Sequence, residues 1–258
     1  MLAYFNDPEL SRWLNVYWPA GPLGLGVSYL LTLFLLKQWM NKRDPIKLKT
    51  PLIAWNTCLA IFSIAAFVQF APGAVLYGLA KGGFVYSVCS VEPFPTPKLT
   101  FWMAMFIVSK FVEFGDTIFL VLRKAPLTFL HVYHHLSVAM YAWFGGIDRS
   151  SLGHWFLTMN FAVHSIMYTY FVLKGFGVNV PSIVAKAITS LQLLQFAVGL
   201  ACILVATMRL WQGEECNSTM ACALFGLVIY LSYLVLFTNF FYHRYIVKPK
   251  HKESNKEN

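Results

Sequence analysis

The chain has 258 residues, 58% hydrophobic and only 12% charged, with a mean hydropathy of +0.58 and a formal net charge of +9. An ordinary soluble domain is about 45–50% apolar and about 25% charged. The composition therefore excludes a soluble globule, because so few charges cannot cover one. The 13 Tyr and 8 Trp suit a membrane protein, where both residues gather at the interfaces.

In chain order, seven segments reach the roughly 20 apolar residues that a helical span needs. They are about 21–40, 52–78, 101–122, 127–147, 153–174, 183–208 and 222–247. Each is read as helix, since a lipid-exposed backbone must satisfy its own hydrogen bonds. The expected fold is an all-α polytopic membrane protein, with one seven-helix domain over 1–247 and a disordered cytosolic tail over 248–258. The first 20 residues lack the basic stretch of a cleavable signal peptide, so the first span is expected as a retained anchor.

Basic residues gather on one side of this pattern: Lys37 to Lys49, Arg123 and Lys124, Lys174 and Lys186, then Arg244 and the tail from Lys248. On the other side, Arg12, Lys81, Lys98, Arg149 and Arg209 are balanced by Asp7, Glu9, Glu92, Asp148, Glu214 and Glu215. The basic side is expected in the cytosol, which leaves the N-terminus lumenal or exoplasmic and the C-terminus cytosolic. The positive charge is thus a topology signal, and no nucleic-acid partner is expected. Cys89 and Cys216 fall in two lumenal loops, where they either form a disulfide or stay as two loop thiols. Cys58, Cys202 and Cys222 are expected as buried apolar thiols. Asn217-Ser218-Thr219 is a glycosylation sequon in the loop that holds Cys216.

The third span carries Lys110, Glu113 and Asp116 at i, i+3, i+6, within about a third of the helix circumference. Each charge at the centre of a lipid-facing helix costs ~2.5–3.5 kcal/mol, so this face is expected to look inward. The fourth span carries His131, His134 and His135, and the fifth Asn160, His164 and Tyr168. The sixth has Thr189, Gln192 and Gln195, and the seventh Asn239 and His243, the last read as a packing residue. A rise of ~1.5 Å per residue from the flanking basic residues puts Asp116 and His131 ~10 Å deep, and His134, His135, His164 and Asn239 ~15 Å deep. Beyond them the lumenal half is almost wholly apolar, as in 136–143 and 224–237. The pattern describes a polar chamber open to the cytosol that continues into an apolar tunnel. It suits a substrate with a polar head and a long apolar tail.

Two chemistries fit such a chamber. His-x-x-His-His is similar to the boxes of membrane di-iron desaturases and hydroxylases, but those imply about eight imidazoles, and this chain has seven His in all. The other chemistry is acyl transfer, in which a neutral imidazole attacks a thioester while a neighbouring His or carboxylate fixes its tautomer. A seven-helix transporter with a proton-relay cluster is a third reading. It calls for a water path to both faces, and the lumenal half offers few polar groups to line one.

The motifs resemble those of the ELO family of very-long-chain fatty acid elongases. Lys110-Phe-Val-Glu113-Phe-Gly-Asp116-Thr117 is similar to its Lys-x-x-Glu-x-x-Asp-Thr motif, and His131-Val-Tyr-His134-His135 to its histidine box. His164-Ser-Ile-Met167-Tyr168-Thr-Tyr170-Phe171 resembles His-x-x-Met-Tyr-x-Tyr-Tyr, with Phe171 in place of the last Tyr. Thr189-Ser-Leu-Gln192-Leu-Leu-Gln195 resembles Thr-x-x-Gln-x-x-Gln. The tail has only Lys256 near its end, short of a dilysine retrieval signal, although the family implies the endoplasmic reticulum. Pro126, five residues before His131, stands where polyunsaturated-type elongases tend to carry Gln. The chain therefore looks most like the animal subgroup that extends saturated and monounsaturated chains of palmitate length.

The resemblance implies a 3-ketoacyl-CoA synthase without a cofactor, whose last six helices form an inverted barrel around an acyl tunnel. In the family's mechanism His134 attacks the acyl-CoA thioester, and the acyl-imidazole then passes its acyl group to the enolate of decarboxylated malonyl-CoA. Support roles are expected for His164 on the malonyl group, for Asp116 and Asn160 in orienting imidazoles, and for His131 or His135 in moving protons. Lys110, Glu113, Tyr168, Gln192, Gln195 and Asn239 are expected along the substrate path. Lys124, Lys174, Lys186, Arg244 and Lys248 are placed to meet the CoA phosphates, the alternative for each being topology alone. Expected partners are long-chain acyl-CoA, malonyl-CoA, the lipid bilayer and the ketoacyl reductase and dehydratase of the cycle, with a homodimer as one admissible assembly.

Overall fold

The computed structural model describes residues 7–92 and 96–247. The expected tail, and Lys248 with it, lie outside the described residues. Among the described residues there is no strand. Within them ten α-helices follow one another: α1 (Asp7–Val16), α2 (Ala20–Met40), α3 (Lys49–Ala71), α4 (Tyr77–Cys89), α5 (Pro97–Val112), α6 (Phe114–Leu122), α7 (Phe129–Asp148), α8 (Gly153–Phe176), α9 (Ser182–Trp211) and α10 (Met220–Phe241). Among the described residues five stretches are long and apolar enough to cross a membrane: Ala20–Met40, Lys49–Cys89, Gly153–Phe176, Ser182–Trp211 and Met220–Ile246. Their outward side chains, such as Leu31, Phe34, Leu194, Met208, Val228 and Val235, are exposed large hydrophobics, as a lipid-facing surface requires.

The other two predicted spans are helical but carry the charges and histidines. One is split at Glu113 into α5 and α6, so Lys110, Glu113 and Asp116 do not share one unbroken helix. The other is α7, whose start is set by Thr128, which accepts a hydrogen bond from the His131 backbone N–H at 3.2 Å. Such a cap is worth about 1 kcal/mol, and it places all three histidines of the box in the first two turns.

Two further departures have local causes. Residues 79–100, expected as a loop, are helical up to Cys89 and double back at Gly83, whose φ is +75°. A Cβ on Gly78 would lie 2.9 Å from the Ser87 Cα, so the two halves touch across this turn, which a residue with a Cβ adopts poorly. Pro72 lacks a backbone N–H, and the helix widens there into a π turn, Pro72–Leu76, before α4. A second π turn, Tyr242–Ile246, ends the last span.

The long helices close into a ring of contacts: α3 packs on α8, α8 on α9, α9 on α10, α10 on α7, α7 on α5, and α5 on α3. α2 stands outside this ring, against α6 and α7. At one end the ring is stapled by the disulfide Cys89–Cys216, which joins positions 127 residues apart. The Asn217 N–H donates to the Cys89 carbonyl at 2.9 Å beside it. Cys202 and Cys222 are buried as expected, whereas Cys58 is exposed on the outer face of α3. A thiol is apolar enough for that position.

Candidate active site

Two polar stripes face each other across the ring and pair rung by rung. Lys110 Nζ lies 2.9 Å from Asn160 Oδ1, Glu113 Oε1 lies 3.6 Å from His164 Nδ1, and the Tyr168 hydroxyl donates to Asp116 Oδ2 at 2.9 Å. Lys110 also donates to Glu113 Oε1 at 2.6 Å, and both are almost wholly buried. Asp116 is held from its other side by the Trp55 indole N–H at 2.6 Å. Gly115 permits that approach: a Cβ there would sit 2.6 Å from the Trp55 ring.

Hydrogen-bond directions in this cluster follow from donor counts. A lysine ammonium only donates, so Asn160 must turn Oδ1 to Lys110 and its amide Nδ2 to His164. Nδ2 then donates to His164 Nε2 at 3.1 Å, which leaves the His164 proton on Nδ1, facing Glu113. On α7, His131 Nε2 lies 2.9 Å from Thr117 Oγ1, and Thr117 is 2.8 Å from the Tyr29 hydroxyl. The rings of His131 and His135 are 4.3 Å apart and those of His134 and His135 5.5 Å. Among the described residues neither His134 nor His135 has a hydrogen bond on its ring nitrogens, and His135 Nδ1 is buried without a partner. The His134 ring is packed among Tyr233, Phe196 and Phe237 at 4.9, 6.5 and 5.9 Å.

His134 stands on the wall of a narrow cavity between the helices. Asn160 and Gln195 are at its polar end; Val138, Tyr141, Phe156 and Tyr230 line its body, and Ser150 lies at the far end. From His134 to Gly146, both cavity residues of α7, the rise is ~18 Å.

The predicted residues do not all converge. His135, His164, Asn160, Lys110, Glu113 and Tyr168 are buried, and with the half-buried His131, His134 and Asp116 they form one cluster with Gln195 beside it. Gln192 is half-buried and reaches only the Met167 sulfur, at 3.6 Å. Asn239 is exposed and is not on the cavity wall. Lys124, Lys174, Lys186 and Arg244 are exposed at helix ends. Asn217 is exposed, but its amide donates to the Cys89 carbonyl at 3.2 Å. Among the described residues no three His, Cys, Asp or Glu side chains converge as a metal-binding set. Trp55, Tyr29 and Tyr233 belong to the cluster and are absent from the sequence reading. The only signal for them is that an indole or phenol inside a span needs a hydrogen-bond partner.

The GNS1/SUR4 family (ELO) pattern matches residues 16–253. The chain is 40% identical over 248 residues to human "Very long chain fatty acid elongase 3", covering 96% of this chain and 90% of that protein. It is 39% identical over 245 residues to "Very long chain fatty acid elongase 6" of Gallus gallus, covering 95% and 91%. The Drosophila melanogaster protein of that name is 38% identical over 246 residues, covering 94% and 76%.

Proposed function

The chain belongs to the GNS1/SUR4 family, and from that membership we propose that it is a condensing enzyme of fatty acid elongation, a very-long-chain 3-oxoacyl-CoA synthase. The observation that carries the mechanism is the placement of His134: of the three histidines of the box it alone lines the cavity. The Nε2 lone pairs of His131 and His164 are each committed to a hydrogen bond, and His135, which like His134 has none, is buried off the cavity wall. A nitrogen lone pair that accepts no hydrogen bond is the available nucleophile.

In the proposed reaction an imidazole nitrogen of His134 attacks the acyl-CoA carbonyl. The C–S bond breaks, CoA leaves as thiol after taking up a proton, and the acyl group stays on the ring. Malonyl-CoA then loses carbon dioxide, and its enolate carbon takes the acyl group. The new C–C bond gives 3-ketoacyl-CoA, and the C–N bond to His134 breaks. Water would hydrolyse the acyl-imidazole, so the closely packed aromatic surroundings of His134 favour its survival. Asn160, itself ordered by Lys110, fixes the His164 ring for contact with the malonyl group. Asp116, held by Trp55 and Tyr168, sets the polar floor.

A cavity ~18 Å long compares with ~15 Å for one leaflet of a bilayer core about 30 Å thick, which supports an acyl chain of membrane-lipid length. The reading extends to seven spans, with the last six as an inverted barrel, in the endoplasmic reticulum membrane with the N-terminus lumenal. Lys124, Lys174, Lys186 and Arg244 would receive the CoA phosphates at the cytosolic mouth. The reductase and dehydratase of the cycle would consume the product.

The test is the intact mass of purified protein incubated with palmitoyl-CoA alone. The expected result is an acyl-sized gain on the peptide carrying 131–135, discharged by malonyl-CoA and absent in His134→Ala. Malonyl incorporation that persists in His134→Ala would overturn the covalent step, and no incorporation with any acyl length would overturn the condensing activity.

A further inference from the structure

We propose that Tyr29, on the helix outside the ring, is a positioning residue of the histidine cluster: through Thr117 it fixes the tautomer of His131. This rests on the cluster being catalytic, as proposed above.

The geometry gives the chain a direction. Among the described residues the Tyr29 hydroxyl has one hydrogen-bond partner, Thr117 Oγ1 at 2.8 Å, and Tyr29 is buried. If Tyr29 accepted that bond, its own proton would have no partner, and a buried donor left unsatisfied is strongly disfavoured. Tyr29 therefore donates to Thr117. Thr117 is fully buried, and its own hydroxyl proton has one remaining partner, His131 Nε2 at 2.9 Å. Nε2 accepts, so the ring proton of His131 is on Nδ1. A phenol that donates to a hydroxyl strengthens that hydroxyl as a donor, so the two bonds bias the tautomer together.

The fold holds α2 in position for this contact. The Tyr29 ring stacks on Phe114, with centroids 4.1 Å apart and an interplanar angle of 20°. One turn earlier, Gly26 lets α2 close on α7, since a Cβ there would meet Leu136 Cδ1 at 2.7 Å. The same α2 face buries Leu33 and Met40 against Val121 of α6. A helix whose remaining surface faces lipid thus delivers one hydroxyl to the site.

Tyr29→Phe removes the hydroxyl and keeps the ring stack; Thr117→Val breaks the chain in its middle, and Thr117→Ser preserves it. Each is compared with the full-length chain by malonyl-CoA incorporation, thermal unfolding and the imidazole ¹⁵N shifts of His131, assigned by difference from His131→Gln. The expected result for Tyr29→Phe is a kcat about five- to tenfold lower, as for the loss of one hydrogen bond, with KM unchanged and the unfolding temperature lowered only slightly. The Nε2 signal of His131 should move in Tyr29→Phe and Thr117→Val but not in Thr117→Ser. A Tyr29→Phe protein with wild-type kcat and an unmoved Nε2 signal would overturn the proposal. A wild-type chain that condenses nothing would instead overturn the enzymatic reading on which it rests.

Discussion

The hydroxyl of Tyr233 reaches the backbone carbonyl of His134 at 3.3 Å, while its ring lies 4.9 Å from the imidazole. The same hydroxyl is 2.7 Å from Ser137 Oγ, which itself donates to the Tyr133 carbonyl at 2.5 Å. One buried side chain of α10 therefore grips both the backbone and the ring of the proposed nucleophile. Tyr233→Phe should keep the ring contact and lose about 1 kcal/mol of stability, with acylation of His134 slowed a few-fold. Tyr233→Ala should lose about 3–5 kcal/mol and abolish the adduct. Thermal unfolding and intact mass check both. Equal acylation rates in Tyr233→Ala and wild type would show that the grip is irrelevant to the chemistry.

The Lys110–Glu113 pair makes a prediction about folding. Lys110→Met strands the Glu113 carboxylate in a buried site, and breaking a buried pair from one side costs about 3–5 kcal/mol. Lys110→Met combined with Glu113→Leu removes both charges and should regain most of that loss. Activity should not return, because neither Asn160 nor His164 then has its orienting partner. Thermal unfolding beside malonyl incorporation separates the two effects; full activity in the double variant would show that the pair serves folding alone.

How the site could be read beforehand depends on periodicity. The stripes at Lys110, Glu113, Asp116 and at Asn160, His164, Tyr168 were visible because charges inside a span must face protein, and they meet as three rungs. The break at Glu113 was not visible, since no Pro marks it and Gly115 falls two residues later, inside α6. Asn239 was misplaced by the depth argument, which fixes how far along a helix a residue lies but not which face it occupies. Trp55 and Tyr29 come from helices with no ionisable residue near them, so only the folded chain brings them to Asp116 and Thr117. The helix α4 escaped notice because Gly-rich sequence reads as loop, and here it forms a helical hairpin instead.

The disulfide predicts a separation of stability from activity. Cys89–Cys216 closes a loop with a separation of 127 residues, and a bridge over about 100 residues is worth up to about 4.7 kcal/mol by chain entropy. Cys89→Ser should lower the unfolding temperature in detergent, and added reductant should lower that of the wild type alone. Condensation with palmitoyl-CoA should hold at temperatures where both proteins stay folded, because the bridge is remote from His134. A parallel loss of activity at those temperatures would show that the staple shapes the cavity.

The cavity itself predicts how product length is set. Tyr141, Phe156 and Tyr230 come from three different helices and form an aromatic wall, with Phe156 and Tyr230 stacked at 4.5 Å. Two glycines stand behind these rings: a Cβ on Gly226 would strike the Tyr141 hydroxyl, and one on Gly199 would strike the Tyr230 ring. Gly226→Ala or Gly199→Ala should therefore drive a ring into the cavity and shorten it. Each methylene excluded from an apolar site forfeits about 0.8 kcal/mol, so loss of room for one two-carbon unit should weaken the longer substrate about tenfold. Competition between acyl-CoAs differing by two carbons reads this directly as a shift toward the shorter chain. Phe156→Leu, which trims the wall from the opposite side, should shift the preference the other way. If both glycine variants keep the wild-type preference while Phe156→Leu also leaves it unmoved, the limit on chain length lies beyond this wall, at the Ser150 end of the cavity.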